Sequence, residues 1–408
     1  MSRISIIGAL TLAGVVYTVG CGEPGDQIET RSSAVGGSGC LIDAAGWQVP
    51  FWTYGMRGFT DANGVHLGVF HTFGSSTITE ATLTPFSSAA DLGGNLMAGS
   101  TPWGYRRHDG VSAVLYLDPN GHIHERTSAD VDITALYASW TVAAGPEDSN
   151  AEVPDVIGYI RSDGKSAIVV RGSNNDVWEI RSNFGSQPPW LATDLTAVSR
   201  APYKVSWGSA FPYVRSDGAN TIVYIATDNH IHELASWGNG AWGDADLSAA
   251  AGDTRAMPTS PPWGYQRSDR YNTVVFIGSD ERVHELAYFP GGRWSTANLP
   301  SVPVVTPRST YRPSGYVRND GVNAIVYVGR TDFYQDVVHE LELRPGGWTD
   351  VTLTSPSTCA QQIVQPFGHL AAGNRNSITF QTLSYQLGVV SRNELSQPLG
   401  GQWQTTAF

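Results

Sequence analysis

Five glutamates recur along the chain, each preceded by an arginine, and these ten residues are the ones best suited to chemistry. Carboxylate and guanidinium groups make strong, often bidentate hydrogen bonds. They could bind a polar ligand together. They could equally serve the fold, since each arginine stands two residues before an aspartate with which it could pair. The glutamates are Glu125, Glu179, Glu233, Glu285 and Glu340, and the arginines are Arg107, Arg161, Arg215, Arg267 and Arg318.

Tryptophans recur after several of these glutamates, at Trp190, Trp242, Trp294 and Trp348. An aromatic ring can stack on the apolar face of a ligand, or it can pack between neighbouring repeat units. The sequence leaves both roles open for this set.

Two pairs of histidines, His122 with His124 and His230 with His232, lie on one face of a strand because side chains alternate along it. That spacing can hold a metal ion. The equivalent positions elsewhere are Val177-Trp178 and Val283-His284, so the pattern is not kept. We therefore expect no metal and no cofactor.

Catalytic patterns are also missing from the sequence. Glycoside hydrolysis needs one particular pair of carboxylates across a cleft, whereas the glutamates here are equivalent copies. The turns at 162–164 and 216–218 lack the spacing and the tryptophan of sialidase turns. No nucleophile elbow, phosphate-binding loop or cysteine–histidine pair stands out, so we predict that the protein is not an enzyme.

The charged residues belong to an internal repeat. Gly104-Tyr105-x-Arg107, an Asp-Gly turn, a β-branched run and a segment ending in Glu125 return with little change from positions 158, 212, 264 and 315. Weaker copies flank these five, near 55 and 368, and the unit length is about 52 residues. Each unit is predicted to form four short strands, the fourth beginning near a Gly-Trp cluster.

Four strands in each of about seven units predict an all-β fold, a β-propeller of about seven four-stranded blades. Six blades are the alternative, because both terminal units are degenerate. A β-solenoid would repeat at a much shorter period.

The segment from Thr221 to Leu234, followed by Trp237 and Trp242, resembles the repeat of the fucose-specific lectin propellers of fungi and bacteria. The similarity covers the five clear units. It implies a sugar site between adjacent blades, where a glutamate and an arginine of one blade bind hydroxyls and an aromatic ring of the neighbour stacks on the sugar. The family's arginine, however, would stand where this sequence has Ala113, Ala167, Thr221, Thr273 and Ala324. Fucose-containing glycans are therefore only one candidate class of ligand.

The N-terminal segment 1–20 reads as a signal peptide, with Arg3 followed by an apolar stretch that contains no acidic residue. Its end resembles a bacterial lipoprotein signal with Cys21 as the acylated residue, although Thr18 departs from the usual leucine. Ordinary signal cleavage is the alternative. A flexible tether at 21–39 would then lead to the propeller at 40–408. We expect an exported protein, either an outer-membrane or cell-surface lipoprotein or a secreted one.

Export makes a disulfide between Cys40 and Cys359 the default expectation. The two cysteines precede the first and last units, which ring closure would bring side by side. Two unrelated buried thiols are the alternative.

Composition excludes two classes of partner. The net charge is −12, only 2 of the 25 basic residues are lysines, and no basic run exists. A nucleic-acid-binding surface is therefore not expected. Contact with a membrane is expected only through a lipid anchor.

These observations favour an exported, multivalent, carbohydrate-binding propeller that takes glycans between its blades. A protein-interaction or structural propeller without sugar sites is the alternative, and a glycoside hydrolase is a more distant one. Exposed aromatic rings beside the glutamates would favour the first function, and buried glutamates paired with arginine would favour the second.

Overall fold

A computed structural model describes residues 18–19, 40–41, 56–61, 63–71, 76–83, 88–97, 100–134, 156–183, 189–206, 208–237, 240–301, 312–330, 336–354, 361–371, 374–384 and 389–407. Seven four-stranded antiparallel sheets follow one another along the chain. The predicted all-β propeller with seven blades is confirmed.

Each blade is a meander of four consecutive strands. A pair of two-residue strands, β1 (Thr18–Val19) and β2 (Cys40–Leu41), precedes the first blade. The first blade consists of β3 (Met56–Thr60), β4 (His66–His71), β5 (Ile78–Thr82) and β6 (Ser88–Gly93). The second consists of β7 (Trp103–Arg106), β8 (Ser112–Leu117), β9 (Ile123–Arg126) and β10 (Asp130–Asp132). The third consists of β11 (Ile157–Ile160), β12 (Ser166–Arg171), β13 (Val177–Ser182) and β14 (Trp190–Asp194).

The other four blades repeat this plan. The fourth blade consists of β15 (Phe211–Val214), β16 (Asn220–Ile225), β17 (Ile231–Ser236) and β18 (Trp242–Asp246), and the fifth of β19 (Trp263–Gln266), β20 (Asn272–Ile277), β21 (Val283–Tyr288) and β22 (Ser295–Asn298). The sixth consists of β23 (Ser314–Val317), β24 (Asn323–Arg330), β25 (Asp336–Arg344) and β26 (Gly347–Thr352). The seventh consists of β27 (Gln361–Ala371), β28 (Arg375–Ser384), β29 (Val389–Gln397) and β30 (Gln404–Ala407).

Local sequence explains the strands and their turns. The second strand of a blade is rich in β-branched residues and is buried throughout, as in β16, because both faces of a blade are covered by its neighbours. An Asp-Gly turn joins the first two strands, and Gly218 has a φ of +81° there, a conformation that glycine adopts without strain. Two helices of one turn, α1 (Leu195–Ser199) and α2 (Leu247–Ala250), follow β14 and β18.

A glycine followed by an aromatic residue, most often Gly-Tyr, begins every unit except the fourth and forms the contact between blades. A Cβ atom on Gly264 would lie 2.3 Å from the Tyr213 ring of the preceding blade, and one on Gly315 would lie 2.2 Å from the Tyr265 ring. The glycine is therefore needed so that the tyrosine ring of one blade can rest on the backbone of the next. In the same way Phe59 lies on Gly104, so the first unit begins at Gly58, three residues later than the sequence predicted.

We expect Gly264→Ala to lower the free energy of unfolding by about 1–3 kcal/mol, because the added methyl group would displace the Tyr213 ring from the seam between two blades. Chemical denaturation would measure the change. Gly243→Ala is the matched control, since no atom lies within 4 Å of its added Cβ. Equal stabilities of the two variants would contradict the account of this contact.

A second contact between blades recurs beside the turns. The side-chain oxygen of an asparagine in one blade accepts a hydrogen bond from a backbone N–H of the preceding blade. The distance is 2.7 Å in each of four cases, from Ser162 to Asn220, Ser216 to Asn272, Ser268 to Asn323 and Asn319 to Asn376.

The ring closes between the last blade and the first. Strand β27 contacts β3, and His369 occupies the position that tyrosine holds in other blades, resting on Gly58. His369 Nε2 lies 2.6 Å from Nε2 of His66 on β4.

First-strand residues of several blades meet near the axis of the ring. Trp103 of the second blade lies 6.3 Å, between ring centroids, from Trp263 of the fifth, and Trp263 lies 3.9 Å from Phe211 and 5.3 Å from Phe367. The Arg57 guanidinium lies 5.5 Å from the centroid of Trp103. The Arg312 guanidinium lies 5.8 Å from the centroid of Trp263. Among the described residues, aromatic rings and two arginines, rather than a pair of carboxylates, therefore line this part of the axis.

Among the described residues, no helix has the length and hydropathy needed to cross a bilayer. Cys21 and Cys359 lie outside the described residues, and of Cys40 only the backbone pairing with Val19 is described. Acylation and the Cys40–Cys359 disulfide stay predictions.

Candidate functional site

The predicted arginines and glutamates are brought together within each of the five clear units. The arginine follows the first strand of a blade, and the glutamate lies on its third strand. In the second blade, Arg107 Nη1 donates to Glu125 Oε2 at 3.0 Å, and Arg107 Nη2 donates to Asp109 at 2.7 Å. The tyrosine of the Gly-Tyr pair completes the cluster, because the Tyr105 hydroxyl donates to Glu125 Oε1 at 2.6 Å.

The same ion pair recurs with varying geometry. The Nη1 atom lies 2.7 Å from the carboxylate for Arg161–Glu179 and Arg215–Glu233, 3.0 Å for Arg318–Glu340 and 3.4 Å for Arg267–Glu285. Each arginine also contacts the aspartate two residues later, and the partners are Asp109, Asp163, Asp217, Asp269 and Asp320. Each cluster thus has one guanidinium for at least two carboxylates.

These glutamates are buried. Their exposed fractions run from 0 % for Glu340 to 4 % for Glu125. Burial raises the pKa of Glu233, Glu285 and Glu340 to about 7, even though the neighbouring arginines oppose the shift. A carboxylate that is hard to ionise is well placed to exchange hydrogen bonds with neutral partners.

Aromatic rings of the next blade reach the arginines. The Arg161 guanidinium lies 5.9 Å from the centroid of Trp242, and that of Arg267 lies 6.0 Å from Trp348. Trp348 also donates a hydrogen bond to Glu285, which lowers the pKa of that carboxyl against the effect of burial. Arg318 is different, because its Nη2 donates to Gln397 of the last blade at 2.8 Å.

The seam between the fourth and fifth blades carries a group of three aromatic rings. The Arg215 guanidinium lies 5.4 Å from Trp237 of its own blade and 4.7 Å from Tyr288 of the next. Tyr288 stacks on Trp294 at a centroid distance of 5.4 Å. Trp237 is 51 % exposed, so one of these rings faces solvent beside a buried Arg–Glu pair.

The four predicted tryptophans divide between two roles. Trp190 is buried at 4 % exposure and belongs to the hydrophobic core. Trp242, Trp294 and Trp348 are half-buried, pack partly against the core and lie at the seams.

Sequence reasoning missed the tyrosines as members of the site. Tyr105, Tyr159, Tyr213 and Tyr265 each stand 20 residues before a glutamate, and this constant spacing was the available signal. Tyr288 gave no such signal, because the repeat does not keep an aromatic residue at its position.

His122 and His230, which directly precede strands β9 and β17, contact aspartates. His122 Nδ1 lies 2.9 Å from Asp132, and His230 Nδ1 lies 2.7 Å from Asp246. Asp228, His230 and Asp246 together offer three possible ligand atoms within 4.8 Å of one another. Hydrogen bonds within the cluster account for the arrangement, and the absence of a metal stays a prediction.

No protein-family model matches the chain, and no curated protein sequence matches it. Solved structures share the fold. A lectin from Burkholderia pseudomallei, BP39L, aligns with a TM-score of 0.58 at 12 % identity, over 86 % of this chain and 97 % of that one. AofleA from Arthrobotrys oligospora aligns at 0.46 and 13 % identity, over 76 % and 89 % of the two chains. The six-bladed fucose-recognising lectin of Aleuria aurantia aligns at 0.44 and 12 % identity, over 75 % and 93 %. At 12 % identity the likeness to BP39L concerns the fold.

Proposed function

We propose that this protein binds carbohydrate in the seams between blades, with the seam of the fourth and fifth blades as its best-developed site. The observation that carries the proposal is the group of rings around Arg215, in which Trp237 is exposed and Tyr288 and Trp294 are half-buried. An aromatic face matches the C–H face of a sugar. Asp217, at 22 % side-chain exposure, can accept hydrogen bonds from its hydroxyls.

The fold supports the same proposal. The Burkholderia protein with this architecture is a lectin, although fold alone does not specify function. A ring of similar seams would give several weak sites on one molecule, and multivalent glycans would then bind by avidity.

A glycan array probed with the full chain tests the proposal. We expect one sugar class to bind, and we expect Trp237→Ala to weaken that binding about tenfold, since one stacked ring contributes roughly 1 kcal/mol or more. Tyr203→Ala is the matched control, because Tyr203 is also exposed, at 40 %, but contacts His232 rather than an Arg–Glu pair.

A folded, monodisperse sample that binds no glycan would overturn the proposal. A structural or protein-interaction role is then the better account. It is favoured by all five clear blades, where the glutamate is buried and paired with arginine, and most by the second, third and sixth, where the tyrosine is bonded to the glutamate as well.

Export and anchoring through Cys21 form a separate part of the proposal that rests on the sequence. Mass spectrometry of the N-terminus of the mature protein would test it. A diacylglyceryl group on Cys21 supports a lipoprotein, whereas an unmodified cleaved N-terminus supports a secreted protein.

A further inference from the structure

The five Arg–Glu clusters are of two kinds. In the second, third and sixth blades, the tyrosine hydroxyl donates to glutamate Oε1 at 2.6 Å in every case. In the fourth and fifth blades, the hydroxyls of Tyr213 and Tyr265 are buried and have no hydrogen-bond partner among the described residues. In the first, closed kind the tyrosine is bonded to the glutamate, and in the second, open kind the tyrosine hydroxyl is left unsatisfied.

The fourth blade leaves the most polar atoms unsatisfied. Within the described part of the chain, Glu233 Oε2 and Thr221 Oγ1 also lack a hydrogen-bond partner. Glu233 is 2 % exposed and Thr221 is 0 % exposed. Buried polar groups are almost always hydrogen-bonded in native proteins, so these atoms require water or a ligand as their partner.

One residue position separates the two kinds of cluster. The residue paired across the strands with the tyrosine is Ala113, Ala167 or Ala324 in the closed blades. It is Thr221 or Thr273 in the open ones. Residues paired in this way lie on the same face of a sheet. Threonine therefore adds a methyl group and a hydroxyl group beside the tyrosine ring where alanine leaves space.

We infer that Thr221 and Thr273 determine which seams bind ligand: they keep the clusters of the fourth and fifth blades open, whereas alanine lets the other three close. The ligand contributes hydroxyl groups that pair with Tyr213, Glu233 and Tyr265. That these hydroxyls belong to a sugar rests on the proposed function. The protein therefore has two binding sites rather than five, and the two sites lie at neighbouring seams.

Stability without ligand tests the inference independently of any sugar. Thr221→Ala and Thr273→Ala are expected to raise Tm, because the tyrosine can then close onto its glutamate as in the other blades. Ala324→Thr is the matched reverse change in the sixth blade and is expected to lower Tm. Thr221→Ser, which keeps the hydroxyl, separates its effect from that of the methyl group.

Calorimetric titration with a methyl glycoside panel that includes methyl α-fucoside tests binding. We expect about two sites per chain in the wild type, half as many in each single alanine variant and none in the double variant. Five sites, or a stoichiometry that Thr221→Ala and Thr273→Ala leave unchanged, would overturn the inference.

If the wild-type protein binds no glycoside, the proposed function fails, while the Tm changes still decide whether the clusters differ as inferred. Unchanged Tm in both alanine variants would show that ordered water satisfies these atoms as well as the closed cluster does. That result would overturn the role of the threonines.

Discussion

Replacing Arg161 with methionine is expected to lower the free energy of unfolding by about 3–5 kcal/mol, because it leaves a buried carboxylate without its charged partner. Arg161 Nη1 lies 2.7 Å from both oxygens of Glu179, and the two residues are 5 % and 2 % exposed. The Tyr159 hydroxyl donates to the same carboxylate at 2.6 Å. One hydrogen bond from tyrosine cannot replace a guanidinium in a desolvated site. Denaturant titration followed by tryptophan fluorescence would measure the loss.

A second variant shows whether the loss of stability comes from the charge of Glu179, which no longer has an arginine partner. Arg161→Met combined with Glu179→Gln is expected to recover part of the stability, because glutamine accepts the tyrosine hydrogen bond without a charge. Arg255→Met is the control at an exposed ion pair, where the side chain is 52 % exposed and the expected loss is below about 0.5 kcal/mol. A loss at Arg161 no larger than that at Arg255 would contradict the buried-pair account.

The histidine pair that closes the ring is expected to oppose folding increasingly as the pH falls. Burial and the neighbouring His369 lower the pKa of His66 to about 2, and burial lowers that of His369 to about 4. The charged groups facing the pair are Glu394, 3.5 Å from His66 Nδ1, and Arg375, which lowers the His66 pKa further.

Unfolding frees both histidines to take up protons near their ordinary pKa of about 6.5. Their contribution to stability is therefore complete above that pH and is lost as the pH falls toward the lowered values. Between pH 7.5 and 5 each histidine is expected to cost roughly 2 kcal/mol of stability. Comparing the unfolding free energies of the wild type and of the histidine variants at the two pH values would isolate this loss, and hydrogen exchange in β3 and β27 would place it at the closing seam.

His66→Gln and His369→Gln are each expected to remove about half of the histidine contribution to the pH dependence of stability, whatever they cost at neutral pH. Glu233, Glu285 and Glu340 act in the opposite sense, because a raised carboxyl pKa makes their contribution fall as the pH rises from 4.5 to 7. They are common to all variants and cancel in the comparison. Phe59→Leu, a buried change in the first blade with no titrating group, should lower stability equally at both pH values. A pH dependence of stability that is the same in the wild type and in both glutamine variants would contradict this role of the histidines.

The fold could be predicted from the sequence because the signals for a blade are local and recur in several units. The Gly-Tyr start, the Asp-Gly turn and the β-branched second strand each report a nearby backbone requirement. The degenerate first unit shows the limit of prediction from sequence, since Gly58 is identified only by contacts between blades, namely His369 on Gly58 and Phe59 on Gly104.

The candidate site could be predicted from the sequence only in part. Arginine, glutamate and tryptophan were recognised as recurring, but the pairing of Arg161 with Glu179 and the burial of Trp190 depend on how strands stack. Tyr288 was missed, because its role arises from contact with Arg215 of another blade.

The sequence by itself therefore determined the all-β propeller, its seven units and the residue types at each seam, because period, turn chemistry and strand patterning are properties of a single unit. Only the tertiary structure decided which charges neutralise each other, which rings face solvent and which clusters are left open at Thr221 and Thr273. Those outcomes depend on distances and desolvation at the packed sheets and between neighbouring blades, and no single repeat contains that information.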